Sequence, residues 1–337
     1  MSRRARPVPS QLKVLARRQA GLLAMAQCLD AGMTPRQVSR RVESKAWDRV
    51  VRGVYDTGEP VPASMSERLD QQRRRSALVG PLSQPRGIAV GLGALVLHGV
   101  RGAPIEIPWE VAVPRAQPRK PAGPVRVRRI LVPQPMNVQG IPCMSVPQAL
   151  GLAVPTMHRF EAVAMIDSAR YRGLLSDAEL AWACSTTAGR RGAATSRSWW
   201  AESDARAESP AESWARLSCS EAGCPPDALQ LWTLAGGRWY RLDLAWVLPG
   251  GGLLIVEIDG REVHDRIEAL YEDRERQNRL VTPWTILRRY TGRDARSGVM
   301  AAEVSLLLKS RGWRPQPLDV DAAYDVERAG FFRKRRS

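Results

Sequence analysis

The sequence predicts an α/β multidomain chain. It opens with a winged helix-turn-helix, continues through an α+β middle region and closes with an αβββαβα domain. Three observations carry that expectation. The 337 residues correspond to about two domains at roughly 150 residues each. The first sixty residues change from helical spacing to short β-rich runs. After residue 228, apolar runs of strand length alternate with glycine turns and then with helical stretches.

Composition narrows the function. Apolar residues are 44% and charged residues 25%, which excludes a wholly disordered chain. The 51 Lys+Arg against 34 Asp+Glu leave +17, with a pI near 10.7. That balance points to a polyanion, nucleic acid or an anionic surface. Resolved along the chain, the charge is +9 over residues 1–75, +6 over 76–205, zero over 206–311 and +2 over 312–337. The longest apolar run, Ile88 to Leu97, carries Gly91 and Gly93 and is far short of the ~20 residues of a spanning helix. Arg17, Arg18 and Asp30 interrupt any secretory h-region. The five cysteines form no CxxC. These features together predict a cytoplasmic protein with reduced structural thiols.

Taking the elements in order, Leu15 to Leu29 reads as one or two short helices, and Ala31-Gly32 as a turn. Thr34-Pro35 starts a helix, because Thr caps the first amides and Pro fits the first helical position. Val38 and Val42 share one face of it, with Arg36, Gln37, Arg40 and Arg41 mainly on the other. Two β runs from Trp47 to Tyr55 then surround Arg52-Gly53. This is the order of a winged helix-turn-helix, residues 1–58. Its second helix enters a major groove of double-stranded DNA, and Arg49 or Arg52 on the hairpin touch phosphates. An amphipathic helix with a solvated arginine face has the same spacing.

Residues 59–75 read as a connector, its polar stretch a surface helix or linker ending in Arg73-Arg74-Arg75, and 76–205 as the α+β middle region. There, strands are expected at 111–113 and 125–132, and helices at 146–150, 160–170 and 176–184. His98 reads as a packed histidine. Arg126, Arg128 and Arg129 line one side of their strand as a phosphate contact.

Residues 206–311 carry the densest signal. A helix is expected over 210–222, strands over 229–234, 239–247 and 253–259, a helix over 267–280, a strand over 285–290 and a helix over 296–309. Residues 312–337 form a basic tail, whose end, Phe331-Phe-Arg-Lys-Arg-Arg-Ser, is expected to be disordered. A hairpin centred on Gly250 sets Asp243 opposite Glu257, each seven residues away. Asp259 then shares the face of Glu257 by strand alternation. Like charges opposed on a sheet destabilise it, so three acids on one face call for a cation. All-oxygen ligands suit Mg²⁺. The competing reading pairs each acid with an arginine, with Arg241, Arg261, Arg274 and Arg276 near enough in sequence. Cys219 and Cys224 read as packing.

Two resemblances follow. Arg18-Gln19-Ala-Gly21, Ala31-Gly32-Met-Thr-Pro-Arg-Gln-Val38 and Trp47-x-Arg49-x-x-x-Gly53-Val54-Tyr55 resemble the winged-helix domain of AbiEi-type antitoxins. That likeness implies DNA binding, often at the protein's own operator. Glu212, Arg241-Leu-Asp243, Val256-Glu-Ile-Asp-Gly260, His264, Asp273-Arg-Glu-Arg276, Leu280, Trp284 and Ile286-Leu-Arg288 resemble a family of unknown function related to very-short-patch-repair endonucleases, of the PD-(D/E)xK superfamily. This implies a restriction-endonuclease-like αβββαβα domain. It makes Asp243 and Glu257 metal ligands, Glu212 an additional acid, Asp259 the third motif position and His264 the general base.

The superfamily's motif lysine is missing. Asp259 stands in its place, and no lysine lies between Lys120 and Lys309. Two readings therefore stand. One is a DNA-binding, Mg²⁺-dependent endonuclease; the other is a non-enzymatic antitoxin-type repressor with a degenerate nuclease-like domain. RNA as substrate is a third. A protein partner, toxin or repair factor, stays open.

Overall fold

The computed structural model describes residues 7–114, 123–259, 275–315 and 324–325. The chain divides into two compact units, residues 1–162 with 173–201, and residues 163–172 with 202–337. No described helix is long and apolar enough to cross a membrane.

The first unit begins with α1 (Ser10–Arg18), β1 (Leu22–Ala24), α2 (Met25–Asp30), α3 (Pro35–Glu43), β2 (Asp48–Val51) and β3 (Val54–Asp56). The strands form a sheet of order β1-β3-β2. The expected purely helical run from Leu15 to Leu29 is corrected here. Gly21, at φ +87°, ends α1, and Leu22–Ala24 pair antiparallel with Val54–Asp56. Sheet pairing outweighs the helical propensity of these residues. Leu12, Ala16, Leu23, Cys28, Val38, Trp47 and Tyr55 close one core over this sheet.

Next comes α4 (Met65–Ser83), capped by Ser64. It is one helix, so the connector boundary expected at residue 75 falls inside it. Arg75 on α4 pairs with Asp56 at the end of β3 and donates to Ala20 O at 2.7 Å. Further along, Gly80 packs so closely that a Cβ there would lie 2.3 Å from the Glu110 carbonyl oxygen. Then follow α5 (Gly91–Leu97), β4 (Glu110–Ala112), β5 (Arg126–Arg128), β6 (Met136–Val138), β7 (Ile141–Cys143), α6 (Val146–Ala153), α8 (Asp177–Ser185) and α9 (Ala193–Ser196), while α7 (Arg159–Tyr171) belongs to the second unit from residue 163 onward. Only three residues of the expected 125–132 strand are extended. Arg126 and Arg128 both approach Glu110, at 3.5 and 3.4 Å. His98 packs as expected, its Nε2 2.9 Å from Met144 O.

The second unit contains α10 (Pro210–Glu221), β8 (Ala228–Ala235), β9 (Arg238–Leu248), β10 (Gly252–Asp259), β11 (Thr285–Thr291), α12 (Gly292–Ser297), α13 (Val299–Ser310) and β12 (Tyr324–Asp325). Residues 275–280 are helical and are labelled α11; the rest of the helix expected over 267–280 lies outside the described residues. The sheet order is β11-β10-β9-β8-β12, with β10–β11 and β8–β12 parallel. One expectation changes: the helix expected at 296–309 is two helices, because Gly298 at φ +82° separates them. A fifth strand that the sequence did not announce pairs at 324–325, and residues 331–337, expected to be disordered, lie outside the described residues. Cys219 and Cys224 are buried with Trp246, Leu254 and Val304 on the face that α10, α12 and α13 cover.

Candidate functional site

Two groups of residues carry chemistry, one in each unit. In the first, Pro35 occupies the first turn of α3. Thr34 Oγ1 accepts from Gln37 N at 3.3 Å, while Gln37 Oε1 accepts from Thr34 N at 2.7 Å. This reciprocal cap fixes where α3 begins. It also changes the role expected for Gln37, whose carbonyl oxygen is spent on the helix end. Arg41 is half-buried, its guanidinium 5.5 Å from the centre of the Trp47 ring, and it ties α3 to β2. Arg36, Ser39, Arg40 and Glu43 remain as an exposed stripe along α3, and Arg49 and Arg52 are exposed on the β2–β3 wing. Among the described residues, no ion pair engages Arg36, Arg40, Arg49 or Arg52.

In the second unit, β9 and β10 pair as Gly252↔Leu248 through Val256↔Leu244. One further step along that register sets Glu257 beside Asp243, as the hairpin spacing predicts. The pairing stops there because Asp243 Oδ2 accepts from Ile258 N at 2.9 Å. On the other side of β9, β8 pairs Leu229↔Leu244 and Leu231↔Leu242 but skips Gln230 and Asp243. Gln230 has φ +53°. Leu229 and Leu244 pack toward α10, whereas Leu231 and Leu242 pack on the opposite face with Leu253, Ile255 and Leu280. Side-chain alternation is thus broken at the Gln230/Asp243 step, and two polar side chains occupy the break.

Glu212, at the third position of α10, is buried. Its Oε2 accepts from Gln230 Nε2 at 2.8 Å and from Glu208 N at 2.9 Å. Burial, then the nearby Asp243 charge, push its pKa up to about 7. Burial also raises Asp243, against the opposing pull of Ile258 N–H and Arg276. Glu257 is buried on the far face, where Arg276 Nη2 pairs with its Oε1 and Arg289 Nε approaches its Oε2 at 3.9 Å. Arg276 also donates to Arg241 O and lies over Tyr240. Asp259, half exposed, binds Arg289 Nη2 at 3.0 Å. Arg241 pairs with Glu208 and stacks over Trp232 at 5.8 Å.

Glu257 and Asp259 do share a face, as expected, but the third acid expected there does not join them. The Asp243 carboxylate is turned to the neighbouring strand, and Glu212 comes from the α10 side. Arg276 and Arg289 lie against the buried Glu257. Among the described residues, no three His, Cys, Asp or Glu side chains stand close enough to hold a metal ion. Mg²⁺ is commonly held by one or two carboxylates with waters completing its shell, so Asp243 and Glu257 are the described residues that would hold it. His264, Arg261 and Arg274 lie outside the described residues. Gln230, Glu208 and Arg289 escaped sequence reasoning. Only Gln230 left a signal, as a polar residue inside the apolar run Ala228 to Leu231.

The arrangement in residues 10–58 is compatible with a winged helix, the class of domain in which a capped second helix and a β-hairpin project from one small core. Residues 10–55 match the family model described as transcriptional regulator, AbiEi antitoxin. No curated protein matches the chain.

Proposed function

We propose that this protein is a DNA-binding transcriptional regulator of the antitoxin type, whose second unit serves as a non-enzymatic binding or dimerisation module. The observation that carries this reading is the exposed arginine set on the capped α3 and the wing, within the segment that matches the regulator family. Arg36 and Arg40 reach into the major groove of double-stranded DNA from α3, and Arg49 and Arg52 hold phosphates beside it. The family description names an antitoxin, so a cognate toxin is the protein partner to seek. The test is fluorescence anisotropy with duplex DNA from upstream of the protein's own coding sequence, against a scrambled duplex. Specific binding that weakens steeply with salt is expected. Equal or absent binding to both duplexes overturns the proposal.

A second reading is Mg²⁺-dependent phosphodiester hydrolysis at Asp243 and Glu257. It is favoured by the register that sets those two acids side by side, and opposed by the arginines that take up Glu257. Plasmid cleavage that requires Mg²⁺ and is lost in Asp243→Asn would establish it over the first.

A further inference from the structure

The first unit contains a cavity of about 370 Å³ between the start of α5, β4–β5 and the end of α6, separate from the α3 face. We propose that it binds a free α-amino acid with a large apolar side chain.

The cavity is within the usual size range for small-ligand sites, and its chemistry is two-signed. Its lining carries Arg126 and Arg128 together with Glu106, Glu110 and Glu161. Leu92, Leu152 and Met157 add apolar surface to the same lining. The guanidiniums are poorly served by the protein itself. Glu110 is their carboxylate, but its contacts run to 3.5 Å for Arg126 and 3.4 Å for Arg128. A well-made charge-assisted N–H···O bond is about 2.7–2.9 Å. Arg128 Nε is buried and has no hydrogen-bond partner among the described residues. A buried donor left unmade is costly, and a bidentate carboxylate is the group whose shape answers a guanidinium fork.

A simple anion fails on charge, because three glutamates line the same space. A zwitterion answers both signs, with its carboxylate on Arg126 and Arg128 and its ammonium toward the glutamates. The apolar part of the lining then takes the side chain. Gly91, in the same lining, holds φ +52°, a conformation that favours glycine.

The experiment is isothermal titration of the full chain with phenylalanine, 3-phenylpropanoate and 2-phenylethylamine, which keep both charged ends, only the carboxylate, and only the amine. Saturable binding of phenylalanine is expected, with each half-molecule at least about tenfold weaker. Arg128→Gln and Arg126→Gln, each shown by thermal melting to be folded, should each weaken phenylalanine about tenfold or more. The proposal is overturned if phenylalanine does not bind, if either half-molecule binds as well, or if a folded arginine variant binds like the parent chain. DNA affinity does not enter these readouts, so they stand whatever the fate of the regulator reading.

Discussion

The arginines of the winged helix and those of the second unit do opposite work. Arg36, Arg40, Arg49 and Arg52 stand exposed with no ion pair among the described residues. In the second unit, Arg216 is bound to the fully buried Asp167 at 2.8 Å, Arg241 to Glu208, Arg276 to Glu257, Arg279 to Glu275 and Arg289 to Asp259. The same side chain is a free recognition group in one region and an internal counter-ion in the other. Net charge by segment already hints at this, since residues 206–311 carry equal numbers of bases and acids. What the coordinates add is that the cancellation is pairwise and local.

Four experiments press on that contrast. The largest effect is expected from Arg36→Ala with Arg40→Ala. Duplex DNA affinity should fall about a hundredfold with the salt slope little changed, because both reach base edges in the groove; anisotropy across a salt series measures both. A slope reduced by roughly two would move both residues from base to phosphate contacts.

Next is Glu257→Ala. Removing a buried acid from two arginines should destabilise the second unit by about 2 kcal/mol, reduced from the fully buried case because Arg276 and Arg289 are each about one-third exposed. Urea unfolding gives the number. Stabilisation on removing the acid would mean that it faces uncompensated negative charge.

Glu212→Gln comes third. The native state holds a proton on Glu212 up to about pH 7, while the unfolded chain releases it near the ordinary 4.5. Between those values the unfolded state binds fewer protons, so this group's contribution to stability declines as pH rises from about 4.5 to 7. The amide keeps an acceptor for Gln230 and Glu208 N and carries no charge. A gain of about 1–2 kcal/mol at pH 8 and none at pH 4 is therefore expected from melts at the two pH values.

The smallest effect is that of Mg²⁺. Adding the ion at millimolar concentration should shift the melting temperature by less than about 1 °C, because only a ligand bound by the native state stabilises it. A large shift abolished by Asp243→Asn would return the second unit to the nuclease reading.

Much of the fold was legible because its signals are local. Thr34-Pro35 marks the start of α3, the glycines around residue 250 mark the hairpin, and Ser209-Pro210 marks the start of α10. The failures share a cause. Leu22–Ala24 became a strand because distant Val54–Asp56 pairs with it, and Tyr324–Asp325 joined the sheet through Thr233 and Leu234. No window of sequence contains both halves of such a pairing. At the acid cluster, spacing did bring Asp243 to Glu257. Spacing assumes an unbroken alternation, however, and at the Gln230/Asp243 step that alternation breaks, with Asp243 Oδ2 accepting from Ile258 N. Gln37 looked like a groove residue because its place on the helical wheel says nothing about a side chain folding back to its own N-terminus.

The grip of Arg75 on Asp56 has a practical corollary for dissecting this molecule. The winged helix is not a bead that can be cut from its string at residue 58. Excision there would strip Asp56 of its counter-ion and leave the Ala20 carbonyl without its donor. It would also uncover the side of β1 that α4 lies against. A fragment that keeps these contacts must run beyond Arg75 into α4, and a shorter one would report on a damaged fold instead of on DNA recognition.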